Sequence, residues 1–145
     1  MNIHCLPNIG ASNEWATPPE IIAELGPFDD DPCVPGSIDG LTRPWEGFVW
    51  LNPPYGAEIG TWLHKMANHG SGIALVFART ETRWFVKWIW NRASSVRFIH
   101  GRLHFHLNGV AHKGNAGGPS VLVGYGVEAD ARLKRCTIAG TFVKL

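Results

Sequence analysis

Phe48-Val49-Trp50-Leu51 is an unbroken apolar run, and it stops abruptly at Asn52-Pro53-Pro54-Tyr55-Gly56. A short continuous apolar run reads as a strand buried on both faces. Proline has no N–H to give to a ladder, so two in succession end this strand at Leu51. In open α/β sheets ligands bind beyond the carboxyl ends of the strands. The fold class and the candidate site are therefore tied to the same stretch.

Around that strand the periodicities alternate. Residues 17–25 (TPPEIIAEL) predict a short helix, with Thr17 as its cap, a proline in its first turn and Ile21, Ile22 and Leu25 inward. Residues 28–33 (FDDDPC) read as a short strand running into an acidic loop, and 34–47 as irregular. Ile59, Trp62, Leu63, Met66 and Ala67 follow helical spacing over 58–69. A buried strand follows at 72–78. Residues 82–93 then predict a helix with Trp84, Phe85, Trp88 and Ile89 inward. Further strands are expected in SVRFIHG, RLHFHL, SVLVGYG and TIAGTFVKL, with a loop or hairpin over 108–118. Strands alternating with helices through residue 93 argue for an α/β sheet, closed by a β-rich C-terminal part. At 145 residues, 45% of them apolar, the expectation is one domain over 1–145.

The groups expected in the cleft have a definite chemistry. The Asn52 amide oxygen accepts hydrogen bonds. Pro53 offers a carbonyl without a competing donor, Tyr55 a ring that stacks on a planar base, and Gly56 close approach. Two acceptors fixed a few ångströms apart match one NH₂ group on a flat heterocycle. Hydrogen bonds to both draw the amine lone pair out of conjugation, so that nitrogen attacks an electrophilic carbon without prior deprotonation. The plainer alternative is a Pro-Pro turn that ends a strand.

Asn52-Pro53-Pro54-Tyr55 resembles motif IV of amino-methyltransferases, [DNS]-P-P-[YFW]. Together with NEWATPPEIIAEL (13–25), FDDDPC, WLNPPYG (50–56), ARTETRWF (78–85) and GRLHF (101–105), it is similar to the phage Dam-type DNA adenine methyltransferases over about residues 13–126. The resemblance implies a compact Rossmann-like methyltransferase sheet with flanking helices. It also implies S-adenosylmethionine as cofactor, a flipped adenine in double-stranded DNA as substrate, and the cytoplasm of a phage or prophage host. On that basis Asn52, Pro53, Pro54 and Tyr55 are the catalytic candidates. Trp15, Thr17 and Pro18 resemble the Thr-Pro motif that lines the cofactor's methionine end, although a capped helix start explains Thr17 equally. Asp29, Asp31 and, by position alone, Asp39 are candidate cofactor carboxylates, with solvated loop acids as the alternative. The chain departs from larger methyltransferases in having no F-x-G-x-G loop. Only fourteen residues, 34–47, separate Cys33 from the next strand.

Net charge is +1, but the halves differ. Residues 1–60 carry −8 and residues 61–145 carry +9. Such asymmetry suggests two different partners, one of them polyanionic; the plainer alternative is that the halves neutralise each other across one fold. Arg79, Arg83, Lys87, Arg92, Arg97 and Arg102 are natural phosphate partners, and Lys113 with its glycine-rich loop is a candidate to reach a DNA groove. A solvated helix face is the alternative, and Arg79 is also placed to line the cleft. Arg102, His104 and His106 alternate along an expected strand, with His100 nearby. They are too few for a zinc site and no cysteine adjoins them, so no metal is expected. Cys5, Cys33 and Cys136 are odd in number and far apart, which fits reduced thiols in a cytosol-like compartment. No stretch is apolar enough to cross a membrane, and the first residues do not read as a signal peptide. Two alternatives remain: a protein glutamine-amide methyltransferase, and a non-catalytic DNA-binding module of the same fold. Monomer and homodimer are both open.

Overall fold

The strand at 49–51 forms as the apolar run dictates: Val49, Trp50 and Leu51 are all buried. A computed structural model describes residues 15–34, 39–104, 106–107, 110–111 and 117–145. The elements in order are β1 (Trp15–Ala16), α1 (Pro19–Leu25), β2 (Val49–Leu51), α2 (Ile59–His69), β3 (Gly72–Phe77) and α3 (Arg83–Phe85), which widens into a π-helical turn over Val86–Trp90. They continue with β4 (Ser95–Ile99), β5 (His106–Leu107), β6 (Val110–Ala111), β7 (Ser120–Tyr125), α4 (Val127–Arg135) and β8 (Gly140–Lys144).

Two sheets result. The larger has the order β2-β3-β7-β4-β8, and β1-β5-β6 make a small antiparallel one. In the larger sheet β2 and β3 are parallel, while β3–β7, β7–β4 and β4–β8 are antiparallel. The expected α/β class holds, as a five-stranded mixed sheet. The register gathers one edge: Leu51 pairs with Ala74, Phe77 with Ser120, Phe98 with Val121 and Ile99 with Gly140. The carboxyl ends of β2, β3 and β4 therefore share an edge with the amino ends of β7 and β8.

Helices cover both faces. On one, Ile59, Trp62, Leu63 and Met66 of α2 and Phe85 and Ile89 of the α3 segment pack on Val49, Leu51, Ala74, Val76, Val96, Val121 and Val123. On the other, Ile21 and Leu25 of α1 and Ala129 and Leu133 of α4 pack on Trp50, Ile73, Leu75 and Leu122. Gly72 lets β2 and β3 meet. Its φ is +154°, and a Cβ there would lie 2.3 Å from the Val49 carbonyl oxygen. No described helix is long and apolar enough to cross a membrane.

Several expectations are corrected. The strand expected at 28–33 shrinks to one parallel bridge between Asp30 and Val49. Asp29 N–H donates to the Phe48 carbonyl (2.8 Å) and Trp50 N–H to the Asp30 carbonyl (2.9 Å). Pro32 then has no N–H to continue the ladder. Residues 102–104 belong to no strand, so Arg102 and His104 do not alternate along one as expected. The helix at 82–93 starts one residue late because Thr82 caps it, its hydroxyl accepting from Phe85 N–H (3.4 Å). Trp84 and Trp88 are only half-buried.

The sequence reading also missed α4. Its signals were present: Ala129 and Leu133 at i, i+4, acids in the first turn, bases in the last, and the Glu128–Arg132 ion pair at 2.8 Å. Arg97 and Arg132 anchor this helix. Arg97 donates to the Ile138 (2.9 Å) and Leu133 (3.0 Å) carbonyls, so part of its guanidinium is engaged within the fold. Arg132 donates to the Leu25 (3.0 Å) and Pro27 (2.6 Å) carbonyls and lies 4.1 Å from the Phe48 ring centre. Leu133→Ala leaves a cavity at a fully buried position, and a loss of about 2–5 kcal/mol is expected. A fall in the urea midpoint at unchanged slope measures it.

Candidate active site

The site begins where β2 ends. Asn52 follows directly, half-buried, and Pro53 is buried behind it. The Asn52 Nδ2 donates to Thr17 Oγ1 at 3.0 Å. Two candidates 35 residues apart are thereby joined. Thr17 does not cap α1 as expected: Pro18 holds the cap position and no side-chain cap bond forms. Thr17 is also the residue after β1, so this bond ties the small sheet to the edge of the large one.

Tyr55 turns inward. Its ring stacks on Phe77, with centres 4.2 Å apart and planes 17° from parallel. Its hydroxyl is buried and has no hydrogen-bond partner among the described residues. Burial pushes the hydroxyl's pKa well up against the opposing Arg79 charge, so it stays protonated and is not a base. The Arg79 guanidinium lies 5.4 Å from the Phe77 ring centre. Tyr55, Phe77 and Arg79 thus form one stack at the ends of β2 and β3. The sequence reading missed Phe77; an aromatic side chain at the end of a buried strand, just before Arg79, was the available signal. Gly56 has φ +133° and nothing within 4 Å of a Cβ there, so the chain beyond Tyr55 is open to close approach.

The aspartates separate into different roles. Asp29 lies at the amino end of β2, where its Oδ2 accepts from Phe48 N–H (2.7 Å). Asp30 takes a bidentate pair from Arg43 (2.8 and 2.7 Å) and Glu46 N–H (3.1 Å). That Arg43 hydrogen bond, against desolvation, holds its pKa below the usual carboxylate range. Asp39 is exposed and pairs with Arg43 at 3.5 Å. Asp31 differs. The Asp30–Val49 register sets it level with Trp50, one step nearer Asn52's end of the strand. Desolvation of its carboxyl, followed by the Asp30 charge, raises it to about 6, against a hydrogen bond from Cys33 N–H. A carboxylate crowded in this way is relieved by a cation.

The basic candidates are spread out. Arg79 lies at the cleft edge. Arg83 and Lys87 are exposed on the α3 segment, which leads away from it. Lys87 and Arg92 flank the Trp88 ring at 5.0 and 5.7 Å, and Arg92 bonds Asn68 Oδ1 (3.1 Å). The Trp88 carbonyl accepts from Tyr125 (2.7 Å), whose strand partner is Gly72, so this cluster belongs to the opposite edge of the sheet. Arg102 is exposed in the segment after β4. Lys113 lies outside the described residues, as does the side chain of Trp15. Pro18 is buried beside Thr17. Among the described residues no three His, Cys, Asp or Glu side chains form a metal-sized group.

A scan against protein-family models finds no match, and no curated protein or solved structure matches the chain. The site stands on its own geometry.

Asp31 gives a pH test. Its folded-state pKa near 6 exceeds the ordinary value of about 3.9, so the folded form binds more protons between them. Stability therefore falls as pH rises from about 4 to 6, and the cost persists above. Asp31→Asn is expected to raise stability at pH 7.5 by about 1 kcal/mol, reduced by solvent screening of an exposed residue. No gain is expected at pH 4. Melting both proteins at the two pH values checks this.

Proposed function

We propose that this chain is an S-adenosylmethionine-dependent amino-methyltransferase that modifies the N6 amine of adenine in double-stranded DNA. The observation that carries the reading is the Asn52 amide. Its nitrogen donates to Thr17, so its oxygen is the end left to accept from a substrate amine. It stands directly after a buried strand, next to a proline carbonyl that has no competing N–H.

In this reading the two acceptors hold the amine's hydrogens and draw its lone pair out of the purine ring. Preorganised dipoles of this kind lower the barrier without a general base. The protonated Tyr55 hydroxyl agrees with that, since no base is required of it. Tyr55, braced on Phe77, provides the stacking surface for a base taken out of the duplex. An amine inside a stacked pair is otherwise out of reach. Asp31 is the carboxylate best suited to a cationic cofactor, because desolvation of its carboxyl and the neighbouring Asp30 charge make its lone charge costly. Thr17, bonded to Asn52, and Pro18 belong to the same site in this reading. S-adenosylmethionine, when bound there, supplies a methyl group on a positively charged sulfur. Arg79 and Arg83 meet phosphate near the cleft, and Arg102, in the segment after β4, extends the contact along the backbone, while Lys87 beside Trp88 at the opposite edge does not share that path.

The finer fold reading belongs here too. A sheet with helices on both faces and a site at its carboxyl edge suits a reduced Rossmann-like methyltransferase domain working in the cytoplasm of a phage or prophage host.

Asn52→Ala removes one acceptor. Methyl transfer to DNA is expected to fall at least about 100-fold, while calorimetry shows S-adenosylmethionine still bound. Equal activity in the variant, or a wild type that binds cofactor and leaves DNA unmodified, overturns the proposal. Asp31→Asn is expected to do the reverse, weakening cofactor binding about tenfold, the loss of one charge-assisted contact.

A further inference from the structure

At the sheet edge away from the cleft, the α3 segment changes its winding. Over Val86–Trp90 it is π-helical, and Asn91 N–H closes the turn on the Val86 carbonyl five residues back (3.1 Å). Turns of this kind are rare and recur at functional sites. The widening has a geometric result. In an α-helix Lys87 and Arg92, five residues apart, would point about 140° away from each other. With i→i+5 bonding they come to the same side of the helix. Both charged groups reach the Trp88 ring, Lys87 Nζ at 5.0 Å and the Arg92 guanidinium at 5.7 Å from its centre.

The pair is held in place. Arg92 donates to Asn68 Oδ1 at 3.1 Å, and the His64 ring stacks on Trp88 with centres 4.4 Å apart and planes 16° from parallel. From the sheet, the buried Tyr125 hydroxyl donates to the Trp88 carbonyl at 2.7 Å. Two positive charges are thus gathered at one ring, and no described carboxylate pairs with either. Neither α2 nor residues 83–92 contain an acid. Like charges held in this way repel, and an anion between them removes that cost. Lysine and arginine side chains offer only donors, which suits phosphate oxygens.

We propose that Lys87 and Arg92, braced on Trp88, form a second phosphate-contact site that takes the backbone of double-stranded DNA, separate from the cleft at Asn52. This deepens the function proposed above and rests on it for the identity of the polyanion. The surface fits an extended chain better than a small phosphate compound. His64, Asn68, Lys87 and Arg92 are all exposed on the outside of two helices, whereas a small ligand needs a concave site to bury it. Residues 59–127 hold eight Lys and Arg against one acid, Glu81, so the surroundings draw a polyanion in. Trp88 is not a platform for bases, since His64 already stacks on it. The contact is to phosphate, so it adds affinity and carries no sequence information.

The test is binding of a long labelled duplex, followed by fluorescence anisotropy over a salt series, with methyl transfer to the same duplex in parallel. Log affinity falls linearly with log salt. Lys87→Gln and Arg92→Gln are each expected to reduce that slope by about 0.9 and to weaken binding about eightfold at about 0.1 M salt. Lys87→Arg and Arg92→Lys keep the charge and recover the slope. Lys134→Gln removes an equal charge from α4, on the other face of the sheet, and is expected to keep the wild-type slope. If a glutamine variant melts early, Lys87→Met, which keeps the stem on Trp88, decides in its place. Wild-type slopes in both glutamine variants overturn the site. So does an equal loss of slope in Lys134→Gln, which would make net charge the cause, and so does a wild type that does not bind DNA. Slopes that fall as expected in a protein that transfers no methyl group support the contact and defeat the function proposed above. Methyl transfer with unaltered slopes does the reverse.

Discussion

Two adjacent prolines set the geometry of this molecule. β2 is buried, and a buried strand continues only while each residue can share its N–H and C=O with a neighbour. Pro53 and Pro54 withdraw two donors in a row, so pairing must stop at Leu51. The chain is forced out at the sheet edge with Asn52, the Pro53 carbonyl and Tyr55 in sequence. Parallel pairing to β3 brings Phe77 to the same edge, and Gly72 is what lets the two strands approach at the other end. The Tyr55–Phe77–Arg79 stack and the Asn52–Thr17 bond are consequences of that one termination.

Opposite charges are kept apart by use. Asp29 and Asp30 face backbone N–H groups and Arg43, so they stabilise the entry into β2 and are not left for a ligand. Arg97 and Arg132 face helix-end carbonyls and hold α4 to β4 and to α1. Asp31 lies beside β2, one step past the Asp30–Val49 bridge, and Arg79 lies over the Phe77 ring at the end of β3. The ion pairs Arg43–Asp30, Arg43–Asp39, Glu128–Arg132 and Lys144–Asp130 each lie within one half of the sequence, so they leave the charge difference between the halves in place.

Elements were legible where hydrophobic periodicity was strong. β2, α2, β3 and β7 lie where the apolar patterns put them, because their buried faces tolerate no other register. α4 was hidden by a different balance. Only Ala129 and Leu133 are buried in it, and its other residues carry its stability through Glu128–Arg132 and end charges, signals that a search for apolar stripes passes over. The direction of β7, β4 and β8 was not legible at all, since antiparallel pairing is chosen by connection geometry. Within the site, Asn52 and Tyr55 could be read from the proline context. The Asn52–Thr17 contact could not, because a bond across 35 residues leaves no local pattern. Nor could the different fates of three consecutive aspartates, which depend on where Arg43 and the backbone N–H groups of Phe48, Glu46 and Cys33 fall.

The account rests on the claim that the atom which receives the methyl group is an exocyclic nitrogen of adenine. The most direct measurement is to incubate the protein with methyl-labelled S-adenosylmethionine and unmethylated duplex DNA of varied sequence, digest the DNA to nucleosides, and separate them by chromatography with mass detection. The account predicts label in N6-methyladenine and in no other nucleoside. Label in a cytosine nucleoside, label found in glutamine side chains of added protein, or DNA left bare by a protein that binds the cofactor would contradict it.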